Sequence, residues 1–140
     1  MQVSPPPDAA ASAIHVASVQ TAPVMGEVAA NVARSIELVE QAAAQGARLV
    51  VLPELANTGY VFASRQEAHA LAESVPDGPS SQAWIALARR LGIYLVAGIA
   101  ERSGGRLYNA AIIAGPDGYL GTYRKLHLWG DENLFFEPGD

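Results

Sequence analysis

Apolar residues fall along this chain in segments of two different periods. Ile14-His15-Val16-Ala17-Ser18-Val19-Gln20 alternates and reads as a first strand, which Thr21-Ala22-Pro23 ends. From Glu27 to Gln45 the spacing lengthens. Val28, Val32, Ile36, Val39 and Ala43 recur three and four apart, which predicts a helix with one apolar stripe, and Gly46 suits the position after its last turn. Arg48 to Leu52 is a second strand. Its continuous run Leu49-Val50-Val51-Leu52 is the pattern of a strand covered on both faces, and Pro53 stops it by fixing φ and lacking an N–H. Strand, helix and strand at this spacing make a βαβ unit, with parallel neighbours and a right-handed crossover.

Beyond the Asn57-Thr58-Gly59 turn, Ser64-Arg65-Gln66-Glu67 has the form of a capping box and opens a short helix ending near Leu71 or Ala72. Pro76-Asp77-Gly78-Pro79 breaks the chain. A third helix is expected from Ser80 or Ser81, with Trp84, Leu87, Ala88 and Leu91 on one face and Gly92 as its stop. Ile93 to Ala100, Leu107 to Ala114 and Tyr119 to Arg124 then read as consecutive antiparallel strands. Their connections are Ser103-Gly104-Gly105 and Gly115-Pro116-Asp117-Gly118. From Leu126 to Asp140 no period holds, which suggests a loop with one turn of helix. The pattern is that of an α/β domain with a mixed sheet and helices on one face; no predicted element covers the other face.

Composition narrows the partners. The 140 residues are half hydrophobic, enough for one domain with a core. A formal charge of −5 without any Lys/Arg-rich run argues against nucleic acid and anionic membranes, and favours a small neutral ligand. There are no cysteines, so disulfides and thiolate metal sites are excluded and a cytoplasmic location is the expectation. No apolar run approaches transmembrane length, and Met1 to Ser12 lacks the features of a secretory signal. Residues 1–13, with Pro5-Pro6-Pro7, read as a flexible lead-in to a domain of residues 14–140.

Two charges stand out by position: Glu54 follows the second strand and Lys125 the last. Carboxyl ends of strands are where α/β sheets form ligand crevices, and a rigid strand can aim one side chain. The alternative for each is a solvated surface charge. His15, His69 and His127 show no metal-ligand spacing, so neither metal nor cofactor is expected, and His127 is assigned to packing or hydrogen bonding behind Lys125. Tyr60 and Trp129 are candidates for a pocket wall, or else core. Asn109 is expected to make a structural hydrogen bond. Gly115 to Gly118 is a turn and not a phosphate loop, and no Gly-x-Gly-x-x-Gly follows the first strand, which disfavours a dinucleotide site.

Five segments in order resemble the nitrilase superfamily of carbon-nitrogen hydrolases. They are Val16 to Gln20, Leu52-Pro53-Glu54-Leu55, Tyr108-Asn109-Ala110-Ala111, Tyr123-Arg124-Lys125-Leu126-His127-Leu128, and Phe136-Glu137-Pro138-Gly139-Asp140. The resemblance runs from Ile14 to the last residue and leans towards the amidase and N-carbamoyl amide hydrolase branches. It implies half of an α-β-β-α sandwich, with the chain as the amino-terminal portion of such a hydrolase. It also implies that Glu54 is the general base, Lys125 the lysine, and Glu132, seven residues before Gly139, the second glutamate.

The nucleophilic cysteine of that family would lie on a strand beyond Asp140. An amide carbonyl is a poor electrophile, so its hydrolysis needs a strong nucleophile, a base to deprotonate it and a donor for the oxyanion. By resemblance, then, the expected function is hydrolysis of a small amide or N-carbamoyl compound through a cysteine acyl-enzyme. The 140-residue chain alone should be inactive, and it should form a homo-oligomer or associate with the missing carboxy-terminal half. The alternative is an inactive fragment or an assembly or binding module that keeps the fold.

Overall fold

The computed structural model describes residues 13–140, so the expected lead-in lies, Ala13 apart, outside the described residues. Strand β1 (Val16–Ser18) leads into helix α1 (Val28–Ala44) and strand β2 (Leu49–Val51). Helices α2 (Arg65–Leu71) and α3 (Pro79–Leu91) follow, then β3 (Tyr94–Ser103), β4 (Arg106–Gly115), β5 (Gly118–Arg124) and a 3-10 turn over Gly130–Leu134. The five strands form one sheet in sequence order. β1, β2 and β3 pair in parallel, while β3–β4 and β4–β5 are antiparallel.

Local chemistry accounts for the helix ends. Ser64 accepts a hydrogen bond from the Glu67 N–H, and the Glu67 carboxylate reaches back to the Ala63 N–H, so the capping box closes one residue earlier than its usual form. α3 begins at Pro79, earlier than Ser80, because the buried Glu73 carboxylate accepts from both the Ser80 N–H (2.8 Å) and its hydroxyl (2.6 Å). Gly92 closes α3 in the left-handed conformation, φ 63°. On α1 the buried stripe carries two polar residues that periodicity did not select. Asn31 ties down Val24 and the Asn57 carbonyl, and Ser35 accepts the indole N–H of the fully buried Trp84 at 2.8 Å.

The two long helices share one face of the sheet. Leu95, Ala97 and Ile99 of β3 and Tyr108, Ala110 and Ile112 of β4 alternate onto that face, where they pack with Val39 of α1 and Trp84, Leu87 and Ala88 of α3. α2 departs from this arrangement. Its Ala68 joins Leu55, Phe62, Ala100, Leu107 and Phe136 in a second cluster, on residues of β3 and β4 that point away from α1 and α3. That cluster covers only one end of the second face. Across the rest, the register places Leu49, Val51, Val96, Ile113 and Tyr123 side by side, with Tyr94 and Tyr123 about half exposed. Among the described residues no helix is long and apolar enough to cross a membrane.

Gly98 is where the second face meets the chain leaving β2. Its N–H donates to the Pro53 carbonyl (3.2 Å) and its carbonyl accepts from the Ala56 N–H (2.8 Å). A Cβ there would run into the backbone of Pro53, Glu54 and Leu55. Because those obstacles are main-chain atoms, Gly98→Ala is expected to lower stability by about 1–3 kcal/mol. A urea melt of the variant with an unchanged midpoint would remove this close approach from the account.

Candidate active site

Glu54 directly follows Pro53, the proline that ends β2's extended run, and the turn behind it is unusual. Leu55 has φ 47°, a left-handed conformation that a side chain normally avoids. Its side chain is wholly buried in the second apolar cluster, which holds the backbone there. Lys125 is fixed from both sides: its N–H donates to the Asn109 carbonyl (2.8 Å) and its own carbonyl accepts from Gly139 N–H (2.9 Å). One residue earlier, Arg124 donates to both oxygens of the buried Glu101 at 2.7 and 2.6 Å, and its guanidinium lies 3.9 Å from the Tyr108 ring centre. The end of β5 is therefore anchored just where the lysine leaves it.

Glu132 comes from the 3-10 turn. That turn is strapped by Arg65, which donates to the Phe135 carbonyl (2.9 Å) and to Glu137 (2.6 Å), and by Phe62, whose ring centre lies 5.6 Å from those of Phe135 and Phe136. Only 4% of Glu132 is exposed. Its Oε2 accepts the Trp129 backbone N–H at 2.6 Å. Its Oε1 accepts three bonds, from Lys125 Nζ at 2.8 Å, Tyr60 OH at 2.7 Å and Asn109 Nδ2 at 2.9 Å.

The same two nitrogens reach Glu54. Lys125 Nζ is 2.8 Å and Asn109 Nδ2 2.7 Å from Glu54 Oε1. The structure thus brings Glu54, Lys125, Glu132 and Tyr60 into one cluster, although 71 residues separate Glu54 from Lys125. Trp129 reaches it through its backbone N–H, and the residue is 75% exposed. His127, assigned to packing or hydrogen bonding behind Lys125, is exposed. Asn109 was expected to make a structural bond, and it bonds both carboxylates. The signal in the sequence was a lone amide within an otherwise apolar strand.

Burial would push the Glu132 carboxyl up, but the bonds from Lys125, Trp129 and Tyr60, with the Lys125 charge, outweigh it and hold the group at about 2. Burial would likewise lower Lys125, yet its bonds to Glu132 and Glu54 and their charges raise it above the ordinary lysine value. Burial first, then the bond to Glu132, pushes the Tyr60 hydroxyl up to about 12, so it stays a donor. Both described bonds to Glu54 fall on Oε1, and its side chain is 43% exposed, which leaves Oε2 free to accept a proton. Beside it, on the open sheet face, lies a cleft of about 370 Å³ lined by Val51, Val96, Gly98, Ala111, Tyr123, Glu54, Asn109 and Lys125. A second, of about 170 Å³, lies among Tyr60, Phe62, Trp129, Glu132 and Phe135. A larger cavity, about 550 Å³ between β1 and α1, shares no residue with this cluster. Among the described residues no group of three His, Cys, Asp or Glu side chains is arranged to hold a metal ion.

Comparison with known proteins gives consistent matches. The carbon-nitrogen hydrolase family model matches residues 15–140. A nitrilase of Pyrococcus abyssi is 46% identical over 127 residues, covering 91% of this chain and 48% of that protein. An omega-amidase of Danio rerio is 46% identical over 101 residues, covering 71% of this chain and 35% of the relative. Among solved structures, a CN-hydrolase superfamily protein from Xanthomonas campestris, with an arsenic adduct in its active site, superposes with a TM-score of 0.76. It has 31% identity and covers 87% of this chain and 44% of the other. The chain spans less than half the length of each of these proteins.

The Glu132 carboxyl titrates lower in the fold than the 4.5 of a free glutamate, so its contribution to stability is complete above about pH 4.5 and is lost as pH falls towards about 2. Urea melts across this range should show stability falling with acid, with a shallower fall in Glu132→Gln. Equal slopes in the two proteins would mean that Glu132 is not held ionised by its neighbours.

Proposed function

Because this chain belongs to the carbon-nitrogen hydrolase family, we propose that it carries the base and the oxyanion-holding lysine of an enzyme that hydrolyses small amides or N-carbamoyl compounds. The observation that carries the reading is the sharing of Lys125 Nζ between Glu54 and Glu132, 2.8 Å from each, at the edge of the open cleft. The chain has no cysteine, so the nucleophilic thiol comes from a part of the protein outside these 140 residues.

Glu54 takes the thiol proton, and the thiolate adds to the amide carbonyl carbon. Lys125 Nζ donates to the oxygen that becomes negative. As the tetrahedral intermediate collapses, the C–N bond breaks and the amine leaves with the proton from Glu54, which leaves a thioester. Glu54 then deprotonates a water that attacks the thioester, and the thiol departs with that proton as the acid is released. Glu132 accepts from Lys125 throughout and keeps its ammonium aimed at the cleft. Trp129 and Tyr60 stand at the cavity on the other side of Glu132 and contact the substrate's remainder.

The second face of the sheet supports a partner for this half. Val51, Val96, Ile113 and the half-exposed Tyr94 and Tyr123 make an apolar surface that needs a cover, supplied by the carboxy-terminal half or by another copy.

The test compares the full-length protein with the 140-residue chain. In the full-length protein, Glu54→Gln should lower kcat by about 10²–10⁴-fold and Lys125→Ala by about 10²–10³-fold. Full turnover in either variant overturns the assigned roles. Purified alone, the 140-residue chain should turn over no simple amide and should self-associate in sedimentation. Amide hydrolysis by this chain that Glu54→Ala abolishes would show that no thiol is needed.

A further inference from the structure

The proposed chemistry uses Glu54, Lys125 and Glu132 but leaves Asn109 without a task. This residue is 4% exposed and sits on β4, within hydrogen-bond distance of groups on all three. Its amide nitrogen donates to Glu54 Oε1 at 2.7 Å and to Glu132 Oε1 at 2.9 Å. Chemistry dictates that orientation, because ionised carboxylates only accept and an amide oxygen turned towards them would be repelled by both. Its backbone carbonyl also receives the Lys125 N–H at 2.8 Å, so one residue sets the lysine's main chain and both of its carboxylate partners.

The charge count shows what this achieves. Two carboxylates around one ammonium leave the cluster one negative charge in excess, and both bring their Oε1 to the same Nζ. Nothing in that arrangement by itself stops Lys125 from collapsing onto the buried Glu132, which would leave Glu54 to swing into solvent. A neutral group with two N–H bonds pointing to the two oxygens holds each in place without adding charge. We infer that Asn109 is a positioning residue, a neutral clamp that keeps the Glu54 and Glu132 carboxylates at fixed places so that Lys125 stays shared between them. The inference rests on the hydrolase reading above and deepens it.

Three substitutions in the full-length protein test this. Asn109→Asp keeps the shape but replaces the donor with a third carboxylate, and Asn109→Ala removes the donor without adding charge. At neutral pH both should lower kcat by about 10²-fold, the scale of a small misplacement of reacting groups, while KM stays within about threefold. As pH falls towards about 5, a protonated Asp at this position again donates a hydrogen bond. Activity relative to the native protein at the same pH should therefore recover in Asn109→Asp and not in Asn109→Ala. Asn109→Ser, which keeps one short donor, should lose less than Asn109→Ala and covers the case in which Asn109→Asp does not fold.

A purely structural role would give pH-independent losses equal in the Asp and Ala variants. That result, or native kcat in Asn109→Ala, overturns the clamp, provided Glu54→Gln and Lys125→Ala are inactive. If those two variants keep full turnover, the hydrolase reading itself has failed, and the clamp falls with it.

Discussion

A carboxylate taken almost wholly out of water must find hydrogen bonds for both oxygens, and in this protein Glu132 imposes that condition on the rest. One oxygen takes three donors and the other a backbone N–H. Those donors come from the turn after β2, the middle of β4, the end of β5 and the start of the 3-10 turn. None of the four can move far without leaving a buried charge short of a partner, which costs more than an ordinary lost bond. The cluster is thus a meeting point of segments and a constraint on each of them.

The supports around it are of two kinds. Steric support comes from Gly98, whose missing side chain lets the Pro53–Leu55 turn lie on the sheet, and from the buried Leu55 side chain that keeps the turn in a left-handed shape. Electrostatic support comes from Arg124, held by the buried Glu101 and by the Tyr108 ring, one residue before the lysine. Both fix short segments that leave a strand end, which ties the positions of Glu54 and Lys125 to the sheet. The cleft beside Glu54 opens on the face of the sheet that α1 and α3 leave bare, so that bare surface and the Glu54–Lys125 pair lie side by side.

Much of the fold was legible because it is local. The span of α1, the left-handed Gly92 and the Ser64 cap each depend on neighbours within a few residues, and the structure has them where the pattern put them. Parallel pairing of β1 with β2 and the two hairpins followed from the connections. Strand lengths were less legible. β3 runs on to Ser103, past the expected Ala100, because β4 supplies partners to its end, and β1 shrinks to three residues because only β2 pairs with it among the described strands.

Sequence by itself determined the order and type of elements and marked Glu54 and Lys125 as lone charges at strand ends; the family resemblance added Glu132. It did so because hydrophobic period and turn chemistry are properties of short windows. Only the tertiary structure decided that Asn109 turns its amide to two carboxylates, that Trp129 contributes a backbone N–H while the residue stays exposed, that His127 faces solvent, and that Asn31 and Ser35 belong inside. Most of these bonds join residues tens of positions apart, 72 in the case of Tyr60 and Glu132. Which donor meets which acceptor over such separations is settled by packing the sheet, the helices and the loops together, and no local period encodes it.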